Sequence, residues 1–187
     1  SNLPKNMVIG MAGILDTSRF KYFLSKELNI PVKKIKSLVL GGHGDTMVSM
    51  LNHTTVDKKP VLDLVKEGKL NKEILEKIVQ RTKSGGAEIV KLLEKGSAFY
   101  APAASGVEMA ESYLNDLKKQ LPCAAYLNGE YGIKDLYAGV PVVIGKNGIE
   151  KVVEINLNSE EKLSFDRSIS AVKELFDAAK KIDKELV

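Results

Sequence analysis

The chain has 187 residues, of which 44% are hydrophobic and 28% are charged. These ordinary values exclude disordered, collagen-like and coiled-coil proteins. A chain of this length can form one domain with a sizeable core but is short for two full domains. We therefore predict one domain over residues 1–187. The formal net charge of +4 is spread along the chain and suits small anionic substrates. No basic stripe with interleaved aromatic residues is visible, which disfavours nucleic acid as a partner.

Cysteine usage and hydropathy indicate the compartment. Cys123 is the only cysteine, so the sequence offers neither an internal disulfide nor a thiolate metal cluster, and we predict no metal site and a reducing, cytoplasmic setting. No apolar run approaches the roughly 18–20 residues that span a bilayer, so no membrane association is predicted. Because the chain starts at Ser1-Asn2 without an initiator Met, we expect an upstream part to have been removed.

The first predicted element is a helix that follows the apolar, glycine-punctuated segment 7–15. The run Asp16-Thr17-Ser18 offers the residue types preferred at a helix N-cap, and Pro31 marks the end of the helix. The apolar residues recur at helical spacing, which predicts one buried face: Phe20, Phe23, Leu24 and Leu28.

A strand, a turn and a second apolar stretch follow. Residues 35–40 predict a short buried strand, which runs into the turn Gly41-Gly42-His43-Gly44-Asp45. The second apolar stretch covers residues 47–51. This order places His43 at the end of a strand, a position from which side chains commonly reach a ligand.

Two helices are predicted in the middle of the chain. The first covers residues 71–93, and Gly85-Gly86 should bend or split it, with Gly96 closing it as a C′ residue. The second has Pro102 in its first turn, is rich in small residues, and continues as far as Leu117.

The last third predicts turn-linked antiparallel strands over residues 122–157, with turns at Asn128-Gly129 and at residues 145–148. A long amphipathic helix follows Asn158-Ser159. Together these elements predict an α+β fold of antiparallel strands packed with long helices. Neither GxGxxG nor GxxxxGK[ST] occurs, so no phosphate-cradling turn is predicted. The predicted apolar face of the last helix is Leu163, Ile169, Val172, Phe176, Ala179, Ile182 and Leu186.

Histidine is the commonest proton-transfer residue near neutral pH, and this chain has two. His53 lies in a polar stretch and is interpreted as a surface or packing residue. His43 is flanked by three glycines and by Asp45, a setting that brings backbone close to a ligand. From composition alone, His43 could equally be a turn residue without a chemical role.

Asp16 and Arg19 lie three residues apart and can project from one helical turn. In the simpler interpretation Asp16 is an N-cap and Arg19 a solvated charge. In the functional one, Arg19 grips a substrate carboxylate with both arms of its guanidinium. A buried Asp16 would then accept the second N–H of a catalytic histidine. The pattern by itself leaves both interpretations open.

Several strings taken together resemble a known family. GILDTSRF followed by LVLGGHGD resembles the carboxyl-terminal half of the lactate/malate dehydrogenase superfamily. The strings GGHGDTM, RTKSGGAEIV and GSAFYAPAAS are most similar to the lactate-dehydrogenase-like bacterial malate dehydrogenases. The resemblance begins at residue 1 and continues through LPCAAYLNGEYG and LYAGVPVVIG to the terminal helix, so it covers essentially the whole chain.

The resemblance implies a role for each candidate residue. His43 matches the family's proton acceptor and donor, Asp16 the aspartate that orients its imidazole, and Arg19 the arginine that binds the substrate carboxylate. Ser97 and Ala98 fall where the family has a small or hydroxyl side chain lining the substrate pocket. The implied reaction is the NAD-dependent interconversion of malate and oxaloacetate, in a homo-oligomer, either dimer or tetramer.

The resemblance also implies that half of the enzyme is absent, since the family's NAD-binding domain should precede residue 1. The loop that distinguishes malate from lactate belongs to that half, so a lactate dehydrogenase remains the nearest enzymatic alternative. A second alternative is a non-enzymatic, self-associating module, which the long terminal helix and the small-residue helix would permit. The isolated chain is expected to be inactive.

Overall fold

The computed structural model of the chain describes residues 3–183 and confirms the α+β class. Five helices lie in this part, and none of them is long and apolar enough to cross a membrane. Their bounds are α1 Ala12–Leu28, α2 Val61–Lys66, α3 Lys72–Leu93, α4 Tyr100–Leu114 and α5 Ser159–Ile182.

Eight strands form two antiparallel sheets. The larger sheet has the order β3-β2-β7-β6, with β8 paired to β7, and the smaller has the order β1-β4-β5. Every strand pairing in residues 3–183 is antiparallel, so the described strands do not form the parallel sheet of a dinucleotide-binding fold. The strands are β1 Ile35–Lys36, β2 Val39–Gly41, β3 Met47–Ser49, β4 Thr55–Val56, β5 Lys59–Pro60, β6 Lys119–Asn128, β7 Lys134–Gly145 and β8 Gly148–Val152.

Two apolar clusters hold these elements together, and α1 contributes to both. Ile14 packs into the cluster around β6 and β7, whereas Phe20 and Leu24 are fully buried in the cluster of α1, α3 and the small sheet. Each such side chain contributes about 1.5–3 kcal/mol of burial free energy. Gly139 on β7 faces Gly41 so closely that a Cβ would overlap the Gly41 carbonyl oxygen. Strand β2 is therefore fixed against the long β6–β7 hairpin.

The predicted start of the first helix is wrong. Helix α1 begins at Ala12, four residues before Asp16, so the Asp16-Thr17-Ser18 run lies inside the helix. Ile14 and Leu15 are buried on the same element and extend its apolar face toward the N-terminus. The end is close to the prediction, since α1 closes at Asn29 in the left-handed conformation.

Two further predictions need correction. Residues 35–40 do not form one strand, because β1 and β2 belong to different sheets. The Gly85-Gly86 pair does not split α3, which is one helix of 22 residues. The pair serves packing instead, since a Cβ on Gly85 would lie 3.1 Å from Cδ of Arg19. The C-cap of α3 is Glu94, so the C′ residue is Lys95 and the predicted C′ residue Gly96 lies one position further on.

The structure of the last third of the chain agrees closely with the prediction from the sequence. The predicted antiparallel strands and the terminal helix are present, and Asn158 caps α5 in a capping box with Glu161. The predicted apolar face is partly wrong: Leu163 is 54% exposed, whereas Phe165 is buried. Leu186 lies outside the described residues. Helix α4 contains Pro102 in its first turn as predicted but ends at Leu114, before Leu117.

Candidate active site

Asp16 forms the floor of the candidate site. Its side chain is 1% exposed on the inner face of α1, and its Oδ2 lies 2.7 Å from Nδ1 of His43. The next residue ties α1 to the strand that leads to His43, because the hydroxyl of Thr17 accepts a hydrogen bond of 3.0 Å from the backbone N–H of Val39. The helix and the strand therefore keep the carboxylate and the imidazole in register.

Glycines shape the turn that carries His43. Gly41 and Gly44 have φ values of +84° and +68°, a region that a residue with a Cβ enters only with strain. A Cβ on Gly42 would overlap the hydroxyl of Thr46. His43 itself is extended and precedes a short 3₁₀ turn over Gly44–Thr46. The glycine string is thus required by the path of the backbone as well as by access to the imidazole.

The two ring nitrogens of His43 differ in their partners. Its side chain is 53% exposed, and in residues 3–183 only Nδ1 has a hydrogen-bond partner. The hydrogen bond to Asp16 raises the pKa of His43 above its usual 6.5, outweighing the opposing effects of partial burial and of the Arg19 charge. Asp16 thereby selects the tautomer that carries its proton on Nδ1 and leaves Nε2 free to exchange a proton at the surface.

Arg19 lies on the same face of α1, one turn after Asp16. Its Nη1 lies 3.6 Å from Oδ1 of Asp16, and its side chain is 10% exposed. The stem passes over the glycine pair of α3, with Nη1 3.7 Å from the position of a Cβ on Gly86. Both Asp16 Oδ1 and Arg19 Nε are buried without a hydrogen-bond partner in the described part of the chain. A charged ligand at the guanidinium would therefore meet a pre-positioned group that still has hydrogen-bonding capacity.

The other sequence candidates have no hydrogen bond to these three in the described part of the chain. Ser97 and Ala98 are in the connection between α3 and α4, where Ser97 is exposed and Ala98 half-buried. Neither makes a hydrogen bond to Asp16, Arg19 or His43 within residues 3–183, so their role as pocket residues stays a prediction. Nε2 of His53 lies 2.9 Å from the carbonyl oxygen of Asn156, in agreement with the interpretation of His53 as a surface or packing residue.

Sequence reasoning missed two residues that support the site. One is Gly85: the sequence predicts that the Gly85-Gly86 pair bends or splits the helix, although a glycine inside an otherwise continuous amphipathic helix can also indicate close packing. Ser168 on α5 accepts a hydrogen bond of 2.8 Å from the backbone N–H of Gly42. Its side chain gives no sequence signal, because a single serine on a helix 126 residues away looks like any polar position.

Comparisons with known proteins identify the family of the chain. Residues 14–183 match the model of the lactate/malate dehydrogenase, alpha/beta C-terminal domain. The malate dehydrogenase of Pelagibacter ubique is 66% identical over 186 residues, which cover 100% of this chain and 58% of that protein. The chain therefore spans a little over half the length of this relative.

Two solved structures have the same fold. Malate dehydrogenase from Salinibacter ruber superposes with a TM-score of 0.92 at 45% identity, over 99% of this chain and 59% of that one. Lactate dehydrogenase from Eimeria maxima, with NADH and oxamate, gives a TM-score of 0.93 at 40% identity, over 98% and 57%. At these identities the likeness extends beyond the fold to the family.

Proposed function

The chain belongs to the lactate/malate dehydrogenase family, and from that premise we propose that it forms the substrate-binding and catalytic half of an NAD-dependent malate dehydrogenase. One observation carries the proposal: a half-exposed His43 is held at 2.7 Å by the fully buried Asp16, with Arg19 beside them on the same helix face. Such a group fits a reaction that moves one proton to or from an oxygen on the carbon next to a carboxylate.

The proton is handled by His43. In the oxidation of malate, the C2 hydroxyl gives its proton to Nε2 as the hydride leaves C2 and the carbonyl forms. The resulting imidazolium is stabilised by Asp16, which is already in contact with Nδ1. In the reverse direction protonated His43 polarises the ketone of oxaloacetate and returns the proton. NAD, when bound, supplies the hydride acceptor.

The substrate is oriented by Arg19. A guanidinium donates two parallel hydrogen bonds to a carboxylate, which fixes the direction of the neighbouring C2 as well as its position. The stem of Arg19 lies between α1 and the glycine pair of α3, so the fork has little freedom before substrate arrives. Holding reactants in this way lowers the entropic cost of reaching the transition state.

The cofactor does not fit a site formed by this chain alone. The described strands pair only in antiparallel fashion, and the sequence contains neither GxGxxG nor GxxxxGK[ST]. We propose that NAD is bound mainly by the part of the family's length that this chain does not span. The face of the domain that bears His43 and Arg19 would lie against the nicotinamide end.

Malate is the substrate we favour over lactate, because a relative named malate dehydrogenase is 66% identical to the chain. Lactate remains the alternative, since a lactate dehydrogenase shares the fold at 40% identity. Arg19 would bind the carboxylate that both substrates have in common. Ala98, if it lines the pocket, would leave room for the second carboxylate of malate.

The direct test is a chimera: the malate dehydrogenase of Pelagibacter ubique with its matching region replaced by this chain. We expect the chimera to reduce oxaloacetate with NADH, and the 187-residue chain alone to show neither this activity nor submicromolar NADH binding. Preference for pyruvate would favour the lactate alternative. A folded chimera that binds NADH but reduces neither acid would support the non-enzymatic module instead.

Self-association is the second part of the proposal. Large apolar side chains are exposed near the α3–α4 connection, and this surface, which also includes part of α4, is a candidate for contact with a second copy. We expect the chain to sediment as a dimer or larger, and Tyr100→Ser with Val107→Ser to weaken the assembly, whereas Leu175→Ser on α5 does not. A monomer at high concentration would contradict this. The exposed residues are Leu92, Leu93, Phe99, Tyr100, Val107 and Leu114.

The cytoplasmic setting is likewise a proposal. It rests on Cys123 being the single cysteine of the given sequence, which leaves no partner for a disulfide within these 187 residues.

A further inference from the structure

One face of α5 makes polar contacts to the segment that contains His43. Glu161, Phe165 and Ser168 are spaced four and three residues apart, so they lie on the same side of the helix, and all three are buried. The opposite side of the helix, which bears Leu163, is exposed. The buried side is therefore the part of α5 that acts on the rest of the domain.

Ser168 contacts the backbone immediately before His43. The residue is 3% exposed, and its hydroxyl accepts the hydrogen bond of 2.8 Å from the N–H of Gly42. The approach is so close that a Cβ on Gly41 would overlap the Ser168 hydroxyl. A single buried side chain thus fixes the orientation of the peptide that leads into the catalytic turn, since a hydrogen bond of this length restricts rotation of that peptide plane.

Glu161 holds the other end of the same segment. Its Oε1 accepts a hydrogen bond of 3.2 Å from the N–H of Asn52, and its Oε2 accepts one of 3.3 Å from the N–H of Asn158. Helix α5 therefore accepts hydrogen bonds from the chain at Gly42 and again at Asn52, before and after the segment that contains His43 and β3. The His43 side chain projects from this segment toward Asp16.

Packing alone does not hold the turn on this side. A cavity of about 450 Å³ lies between the turn and α5, and its walls include Asp45, Thr46, Lys83, Arg167 and Ser168. The 3₁₀ turn borders open space there. The hydrogen bond from the Gly42 N–H to Ser168 is therefore the contact by which α5 sets the orientation of the backbone before His43. Its removal would not be compensated by neighbouring apolar side chains, which cannot accept the Gly42 N–H.

We propose that Ser168 is a positioning residue for catalysis: through the peptide of Gly42 it holds His43 in the orientation in which Nδ1 meets Asp16. The catalytic part of this inference rests on the proposed function, whereas the positioning part concerns the chain alone. Ser168 makes no contact with the reacting atoms and acts through the backbone of the turn.

The test compares Ser168→Ala with Ser170→Ala, a matched change on the same helix. The Ser170 hydroxyl is exposed and donates only to the Asp166 carbonyl within α5. In the 187-residue chain, NMR would follow the His43 imidazole nitrogens and the exchange of the Gly42 amide. We expect Ser168→Ala to speed that exchange about tenfold and to lower the titration midpoint of His43, since the contact with Asp16 is formed less often. Ser170→Ala should change neither.

Ser168→Cys separates the hydrogen bond from the volume, because a thiol fills the space but accepts weakly. We expect it to shift the His43 signals in the same direction as Ser168→Ala. In the chimera, both variants should lower kcat about tenfold while the KM for oxaloacetate changes less than about threefold, as expected when orientation rather than binding is lost.

Two results would overturn the inference. One is a folded Ser168→Ala chain whose His43 titration and Gly42 exchange match those of Ser170→Ala. The other is a Ser168→Cys chain that matches the unsubstituted protein. An inactive chimera of the unsubstituted chain would instead contradict the proposed function, and the NMR measurements on the chain alone would still decide the role of Ser168.

Discussion

The two sides of the candidate site differ in how completely the chain supports them. Behind His43, the carboxylate of Asp16 is buried, and the turn is held by Thr17 through β2 and by Ser168 from α5. By contrast, the α3–α4 connection, which carries the predicted pocket residues Ser97 and Ala98, is largely exposed, with Phe99 among its exposed apolar side chains.

The difference shows which parts of the chemistry this chain supplies by itself. Orientation of the imidazole and of the guanidinium is fixed by contacts within residues 3–183. The predicted pocket residues Ser97 and Ala98 make no hydrogen bond to Asp16, Arg19 or His43 in that range, which fits a site completed by another part of the family's length or by a second copy. Substitutions behind His43 should therefore change turnover, and substitutions along the Arg19 side should change substrate binding.

The largest effect is expected at His43 itself. In the chimera, His43→Asn should lower turnover about 10²- to 10⁴-fold, because no group remains to exchange the hydroxyl proton, while NADH binding stays unchanged. Single-turnover kinetics with oxaloacetate provide the measurement. His53→Asn is the matched control, since its imidazole contacts only the Asn156 carbonyl in the described chain. Near-normal turnover in His43→Asn would return this residue to the status of a turn residue.

A smaller effect is expected at the guanidinium. Arg19→Lys keeps the positive charge but loses the two-pronged geometry, so the KM for oxaloacetate should rise roughly 10- to 100-fold with a smaller change in kcat. NADH affinity measured by calorimetry should be unaffected. If kcat fell as far as in His43→Asn while KM stayed constant, Arg19 would act in proton transfer rather than in substrate binding.

The sequence predicts the candidate residues of the site better than the tertiary contacts that position them. The long hairpins can be predicted because alternating apolar residues report local conformation directly. The glycine string places His43 in a turn but leaves its chemical role open. The role of Asp16 stays open in the sequence, since its residue type suits an N-cap and only the earlier start of α1 buries it. Ser168 escapes sequence reasoning because its partner lies in a distant segment, and local patterns carry no information about such tertiary contacts.

The glycine pair of α3 offers a matched test on the substrate side. A Cβ on Gly85 would lie 3.1 Å from Cδ of Arg19, whereas one on Gly86 would have its nearest neighbour at an ordinary 3.7 Å. Gly86→Ala should raise stability by about 0.5–1 kcal/mol, the usual gain within a helix. Gly85→Ala should lose part of that gain and raise the KM for oxaloacetate several-fold, because Arg19 is displaced. Thermal unfolding and initial rates give both values, and equal KM values would refute the displacement.

The smallest expected effect is the dependence of stability on pH that comes from the Asp16–His43 pair. The pKa of His43 is raised in the folded chain, chiefly by its hydrogen bond to Asp16, so the folded chain binds this proton more tightly than the unfolded chain does. The resulting stabilisation is fully present below about pH 6.5, the unfolded value. It is lost as the pH rises through the folded pKa. His43→Gln should therefore cost more stability at pH 6 than at pH 9, as measured by urea unfolding.

The same measurement in an Asp16→Asn background identifies the cause. Without the carboxylate, the remaining influences on His43 are burial and the Arg19 charge, and both lower its pKa. The stability cost of His43→Gln should then lose its excess at low pH. In the chimera, Asp16→Asn should move the pH profile of malate oxidation to lower pH, since the base loses its proton more readily. A low-pH excess that survives Asp16→Asn would place its origin elsewhere than in the buried carboxylate.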